Sequence, residues 1–258
     1  MRLVFASLLL LLAPLAAHAT DRCAFEAPRN LSLDLAGVRG VQIKVHSFDL
    51  HVSGRAEAGK LDVRGRACAS DRKMLDQLVV AQRRDGDQLI LELSNGDGIG
   101  FHLFGSNYTG LDVSVQLPAN LPLMVDVGSG DADVTGVAQL DSRVGSGDLH
   151  VHGISGRFAT GVGSGDIDAN DVGSLQVGSV GSGDLTVSGV GGDARVGSIG
   201  SGDVRLRDVR GSVQVDTLGS GDLDVDGVGG DLSLGAKGSG DVSHSGVKGK
   251  VQVPSDDD

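Results

Sequence analysis

The tetrapeptide Gly-Ser-Gly-Asp returns seven times in the second half of the chain, and its period constrains the fold more than any other feature. The copies begin at Gly128, Gly145, Gly163, Gly181, Gly200, Gly219 and Gly238, at intervals of 17, 18, 18, 19, 19 and 19 residues. A regular period of this length is the sequence signature of a repeat architecture. The chain is therefore predicted to stack one structural unit on the next.

The residues that follow each Asp alternate between aliphatic and polar side chains. Leu149 and Val151 alternate with His150 and His152, and the later repeats follow the same pattern. A period of two indicates a β-strand with its aliphatic side chains on one face. A second short strand follows in each repeat, so one repeat forms one rung with two main strands.

A single rung buries too few aliphatic side chains to offset the conformational entropy lost on ordering it, so the rungs must stack. We therefore predict an all-β fold, a parallel β-solenoid or β-helix with about seven rungs of 17–19 residues. The solenoid is assigned to residues 128–253, and an acidic tail to residues 254–258.

Residues 20–127 lack the tetrapeptide but remain strand-like, with the longest alternation running from Leu111 to Leu117. Only Asp71–Val80 has weak helical character. The simplest prediction is an irregular N-terminal β region that caps the solenoid, and the alternative is a separate small β-sandwich.

The first nineteen residues have the features of a secretory signal peptide. Arg2 precedes an apolar stretch, and Ala17-His18-Ala19 is a small-x-small cleavage site. No second apolar stretch follows, so we expect an exported protein, periplasmic or extracellular, with no membrane span after cleavage. In an oxidising compartment Cys23 and Cys68 are expected to form a disulfide.

The net charge of the chain disfavours two classes of partner. The net charge of −12 disfavours nucleic acid, whose phosphates need clustered Lys and Arg, and it also disfavours docking to an anionic membrane.

The repeats place one carboxylate per rung in a single column, formed by Asp131, Asp148, Asp166, Asp184, Asp203, Asp222 and Asp241. Stacked carboxylates repel one another, so an interaction must offset that repulsion. We expect each Asp to cap backbone N–H groups of its own corner, and no cofactor to be required. The alternative is a Ca²⁺ array held by these seven carboxylates, although the motif does not reproduce the ligand geometry of calcium β-rolls.

Aromatic residues make up only 3% of the chain, yet Phe101, Phe104 and Tyr108 gather in one Gly-rich segment. Exposed aromatic side chains on loops are common contact residues, so these three are candidates for contact with a partner. The alternative is that the two Phe side chains plug the top of the cap.

No residue pattern predicts catalysis. Gly-Ser-Gly-Asp differs from the Gly-x-Ser-x-Gly nucleophile elbow, and its serine is repeated in every copy, whereas an active site is normally unique. His150 and His152 lie two apart on one strand, a spacing that can bind a metal but that is also common among solvated surface histidines. We therefore predict no catalytic residue.

The order of these features resembles that of the exported bacterial β-strand-repeat adhesins, which are related to auto-transporter adhesin heads. The resemblance covers about residues 31–253, including the step Val113-Ser-Val115-Gln-Leu117-Pro118 and the Ser-Gly-Asp-hydrophobic-x-Val rungs after it. It implies a β-helical fold and a surface or periplasmic location, and it supplies no catalytic residues.

Together these features predict a non-enzymatic, adhesin-like binding or structural module whose partner is a protein or glycan of the cell surface or envelope. A calcium-stabilised β-roll is the first alternative. A carbohydrate-active β-helix enzyme is the second.

Overall fold

The computed structural model describes residues 23–56, 58–96 and 108–254. The predicted signal peptide, Phe101, Phe104 and residues 255–258 of the acidic tail lie outside the described residues. The strands are β1 (Phe25–Pro28), β2 (Leu31–Leu33), β3 (Gly40–Val45), β4 (Asp49–Arg55), β5 (Leu61–Ala69), β6 (Val79–Asp85), β7 (Gln88–Ser94), β8 (Thr109–Pro118), β9 (Leu123–Val127), β10 (Ala132–Thr135), β11 (Leu140–Val144), β12 (Leu149–Val162), β13 (Ile167–Val180), β14 (Leu185–Val190), β15 (Ala194–Ile199), β16 (Val204–Val209), β17 (Val213–Leu218), β18 (Leu223–Val228), β19 (Leu232–Lys237), β20 (Val242–Ser245) and β21 (Val251–Gln252), and one helix, α1 (Arg72–Gln77), lies between β5 and β6.

Two long parallel ladders run along the molecule and confirm the predicted β-solenoid. The first ladder follows the order β8, β4, β10, β12, β13, β14, β16, β18 and β20. The second ladder follows the order β7, β3, β9, β11, β12, β13, β15, β17, β19 and β21. The 14-residue strands β12 and β13 turn a corner and contribute to both ladders.

The core is a set of aliphatic columns between the two ladders. In β16, for example, Val204, Leu206 and Val209 are each at most 1% exposed, while Arg205 and Arg207 point outward. The same inward positions recur in every coil because the parallel register stacks equivalent residues. The alternation in the sequence therefore identifies the inward faces directly.

The ladders continue without a break through the N-terminal region. Strand β3 pairs with both β7 and β9, and β4 pairs with both β8 and β10. Strands β3 and β4 form the first coil along the chain. They are therefore covered by a coil that comes later in the sequence and consists of β7 and β8. The sequence showed these segments as strands but gave no sign of this order in space.

Antiparallel strands and the short helix lie at the N-terminal end. Strand β5 pairs antiparallel with β1, β2 and β8, and β6 pairs antiparallel with β7. Asp71 accepts a hydrogen bond from the amide of Met74 and begins α1. The Arg29 guanidinium donates to the carbonyls of Leu75 and Leu78, so the carbonyls at the end of the helix are satisfied.

The predicted disulfide between Cys23 and Cys68 is present, with Cα atoms 5.3 Å apart. It joins the start of the described chain to β5 across 45 residues of sequence. Arg66, on the same strand, donates to the carboxylate of Glu26, and this hydrogen bond lowers the pKa of Glu26. Both contacts fasten the N-terminal segment around β1 to β5.

The corner that carries Gly-Ser-Gly-Asp brings successive coils very close together. The amides of Ser164 and Gly165 both donate to the carbonyl of Gly145, at 2.7 and 3.2 Å. A Cβ added to Gly165 would overlap the carbonyl oxygen of Gly147 in the preceding coil, and the equivalent overlap occurs at the second glycine of every copy. These glycines are required by close approach and not by a positive φ.

We expect Gly165→Val to lower the melting temperature by several degrees, because overpacking typically costs about 1–3 kcal/mol and each kcal/mol is worth roughly 2–4 °C in a chain of this size. Thermal melts followed by circular dichroism would measure the change. Gly178→Val is the matched control, since the nearest atom to a Cβ there is the Thr160 carbonyl oxygen at an ordinary 3.8 Å. Equal melting temperatures for wild type and Gly165→Val would contradict the close-approach argument.

One polar pair interrupts the aliphatic columns of the second ladder. Ser142 and Thr160 are 5% and 6% exposed, and their hydroxyl oxygens lie 2.7 Å apart in a hydrogen bond. The corresponding inward position in the next coil is Val177. The pair is tolerated in the core because each hydroxyl is the other's partner.

Ser142→Ala should therefore lower the free energy of unfolding by about 1–3 kcal/mol, since it leaves the Thr160 hydroxyl buried without its partner. The double variant Ser142→Val/Thr160→Val should lose less than the single variant, because it extends the valine column and leaves no hydroxyl unsatisfied. Denaturant titration of the three proteins measures both differences. A double variant that is less stable than the single one would contradict this interpretation.

Candidate binding surface

The predicted aspartate column exists, and its carboxylates bond between coils. Asp131 accepts from the amide of Asp148 at 3.2 Å, and the same bond repeats five more times along the column to Asp241, at 3.0–3.1 Å. The prediction that each Asp caps its own corner is wrong: the amide belongs to the next coil, because parallel stacking places it directly beside the carboxylate.

Positive charge adds to the stabilisation of the column. Arg205 lies 3.3 Å from Asp203 and 4.0 Å from Asp184, so one guanidinium faces two carboxylates of neighbouring coils. Hydrogen bonds to charged groups contribute about 1.5–3 kcal/mol each, which exceeds the repulsion of about 1 kcal/mol between two carboxylates in water. The column therefore stabilises the stack.

We expect Asp184→Asn to melt within about one degree of wild type, because the amide oxygen still accepts the Asp203 N–H and one like charge is gone. Asp184→Ala removes the acceptor, a loss of about 1.5–3 kcal/mol, and relieves about 1 kcal/mol of repulsion, so it should cost about 0.5–2 kcal/mol. Thermal melts in millimolar Ca²⁺ and in EDTA should coincide for all three proteins. A calcium-dependent rise of several degrees in wild type that Asp184→Asn abolishes would instead assign the column to Ca²⁺ binding.

Histidine and aspartate share the outer face of the first ladder. His51 lies 2.7 Å from Asp133, and the rings of His150 and His152 lie 3.8 and 3.7 Å from Asp168 and Asp171. All of these side chains are more than 45% exposed. Within residues 23–56, 58–96 and 108–254, no three His, Cys, Asp or Glu side chains come together as a metal-binding group.

Tyr108 is the described member of the predicted aromatic contact group. It is 40% exposed and lies beside the disulfide, in a small depression of about 200 Å³ that also includes Asp49, Arg66 and Asp112. Its neighbours Phe101 and Phe104 lie outside the described residues. The contact role of the three aromatic residues stays a prediction.

A groove of about 720 Å³ follows the corner at which each coil passes from the first ladder to the second. Its lining includes Gly189 and Gly227, which have positive φ, and Asp171 and Asp208, which adopt φ values of 58° and 54° at equivalent positions. The glycines here follow from the left-handed backbone that this corner needs. The groove is therefore a consequence of how the chain turns.

The outer face of the second ladder carries a depression of a different kind, which we call the glycine trough. It has a volume of about 570 Å³, within the range of ligand sites. Its floor includes Gly161 and Gly178, and its walls include Met124, Asp141, Arg143, Arg157, Gln176 and Ser179.

The two floor glycines are not required by the backbone. Neither has a positive φ, and the nearest atom to an added Cβ lies 3.5 Å away at Gly161 and 3.8 Å away at Gly178. Glycine inside a strand costs roughly 0.5–1 kcal/mol relative to alanine, and it often marks a place where another molecule approaches the backbone. The trough therefore exists at a cost in stability that the fold does not demand.

The glycine trough was not predicted from the sequence. The sequence signal for the trough is a glycine at an outward position of an alternating strand, as in Leu175-Gln-Val177-Gly-Ser179, and the many corner glycines hide this signal. The walls come from several successive coils, and only the stacking brings them together.

Comparison with known proteins gives the family. The model described as "Putative auto-transporter adhesin, head GIN domain" matches residues 67–247, which is well over half of the chain. The chain belongs to this family. The resemblance seen in the sequence is thereby confirmed, while no curated protein sequence matches the chain significantly.

Three solved structures of bacterial proteins are similar to this chain. A putative adhesin from Bacteroides fragilis is 14% identical, with a TM-score of 0.57, and the match covers 87% of this chain and 99% of that one. A putative cell adhesion protein from Clostridium sporogenes is 14% identical, with a TM-score of 0.38 and coverage of 88% and 98%. A putative lipid binding protein from Parabacteroides distasonis is 13% identical, with a TM-score of 0.42 and coverage of 88% and 97%. At these identities the adhesin from Bacteroides fragilis supports the fold alone.

Proposed function

We propose that this member of the adhesin head family is an exported, non-enzymatic binding module that attaches to a protein or glycan of the cell surface or envelope. The observation that carries the proposal is the glycine trough, a ligand-sized depression in a face that the solenoid could have filled with side chains. Membership of the adhesin family supports the same role.

Export is part of the proposal. It rests on the signal peptide pattern of residues 1–19 and on the Cys23–Cys68 disulfide, which is typical of oxidising compartments. In the described part of the chain, no helix combines the length and the apolar character needed to cross a membrane.

The outward side chains of the ladders favour a binding role over catalysis of a reaction. The outward column of the first ladder runs Asp133, His150, Asp168, Thr186, Arg205, Asp224 and Ser243. It repeats no chemistry from coil to coil, so it offers no uniform lattice-binding surface. The proposal requires neither catalytic residues nor a cofactor.

The full-length exported protein, fluorescently labelled, should co-sediment with envelope fractions of the producing bacterium in a saturable manner. An excess of unlabelled protein should displace it, because a specific site is finite, and heat-denatured protein is the control. The supernatant should contain no released reducing sugar. Binding that never saturates would contradict the adhesin-like role, and release of reducing ends would favour a carbohydrate-active enzyme.

A further inference from the structure

The walls of the glycine trough hold their polar groups in fixed positions. One terminal nitrogen of Arg157 donates to both carboxylate oxygens of Asp141, at 3.1 and 3.0 Å, and the other donates to the side-chain oxygen of Gln176 at 3.3 Å. These three residues lie on β11, β12 and β13, so the network crosses three successive coils. The nitrogen that bridges both oxygens of Asp141 and the nitrogen that bonds to Gln176 together hold the guanidinium between β11 and β13.

Hydrogen-bonding capacity remains in the trough after these contacts. Arg157 has five N–H donors, of which the contacts to Asp141 and Gln176 use at most three. The side-chain nitrogen of Gln176 donates to none of the described residues. Ser179 adds a hydroxyl that can donate or accept. The lining therefore offers both donors and acceptors, which suits a ligand bearing several hydroxyl groups.

The positive charges of the two trough arginines are each balanced by a carboxylate. Arg157 is paired with Asp141 within the trough at 3.0 Å, and Arg143 lies 3.4 Å from Asp126, a residue of β9 outside the lining. A site for an anionic group needs an excess of positive charge, as a phosphate or carboxylate site does. This balance favours an uncharged ligand.

The size of the trough favours a small ligand as its occupant. Its volume of about 570 Å³ lies in the range of small-ligand sites and accommodates one sugar unit or a short stretch of polymer. The glycine floor presents main chain without side chains. A flat ring with C–H groups on one face can rest on it while its edge reaches the walls.

We propose that the glycine trough binds an uncharged sugar unit of a surface or envelope glycan. The ring lies on Gly161 and Gly178, and its hydroxyl groups bond to Arg157, Gln176 and Ser179. This inference rests on the proposed function and deepens it, since it names the chemical class of the partner and the residues that contact it. The trough has no aromatic platform, so the affinity of one site is low and attachment benefits from several contacts.

The test uses a glycan array that carries neutral hexose and N-acetylhexosamine oligosaccharides beside uronate-bearing and phosphate-bearing ones. Wild type should bind neutral probes, and the best of them is then titrated by calorimetry. Gly178→Val should weaken this binding at least tenfold while its melting temperature stays at or above that of wild type, because valine fills the floor and favours the strand. Arg157→Gln should also weaken binding at least tenfold.

The matched control is Ser188→Val, which adds an aliphatic side chain to the outer face of the first ladder and should leave glycan binding unchanged. The inference is overturned if wild type binds only the anionic probes or none of the probes, or if Gly178→Val binds as tightly as wild type. The envelope sedimentation assay separates the two proposals. If Gly178→Val still sediments with envelopes, the adhesin-like role stands and the trough is not its site.

Discussion

The approach of one Gly-Ser-Gly-Asp corner to the next is the contact on which the rest of the structure depends. At five of the six steps between copies the carbonyl of the first glycine accepts two amides of the following coil, and at the last step the Gly219 carbonyl accepts the Gly240 amide. The second glycine of every copy leaves no room for a side chain. The aspartate that follows is then in position to accept the amide of the next aspartate. A bulkier corner would push adjacent coils apart locally and weaken both ladders there, since each coil contacts only its neighbours.

A second polar column supports the stack at the corner that leads into the strands of the second ladder. Asp193 accepts the amide of Ser212, the Ser212 hydroxyl accepts the amide of Asp231, and Asp231 accepts the amide of Lys250. Because the corners carry these inter-coil bonds, the outward side chains of the two ladders are not needed for register. They can vary from coil to coil, and this freedom allows a local site such as the glycine trough to exist on a repetitive scaffold.

The same architecture explains why the proposed binding is open and shallow. A solenoid fills its interior with aliphatic columns, so ligand sites form on faces and corners where neighbouring coils differ. In the glycine trough, Gly161 of β12 and Gly178 of β13 leave the face without two side chains. Beside them lies Arg157, which is held in place by Asp141 of β11. A site of this kind suits attachment to a surface that presents many copies of one ligand.

The sequence by itself determined the fold class, the inward faces, the disulfide and the column of aspartates, because period, alternation and cysteine spacing are local properties of the chain. It also located α1 near Asp71–Val80. The tertiary structure decided that β3 and β4 lie between later strands, that each aspartate bonds to the following coil, and that Asp141, Arg157 and Gln176 surround one floor. Those relations join residues 16 or more positions apart, and parallel stacking alone sets which of them become neighbours.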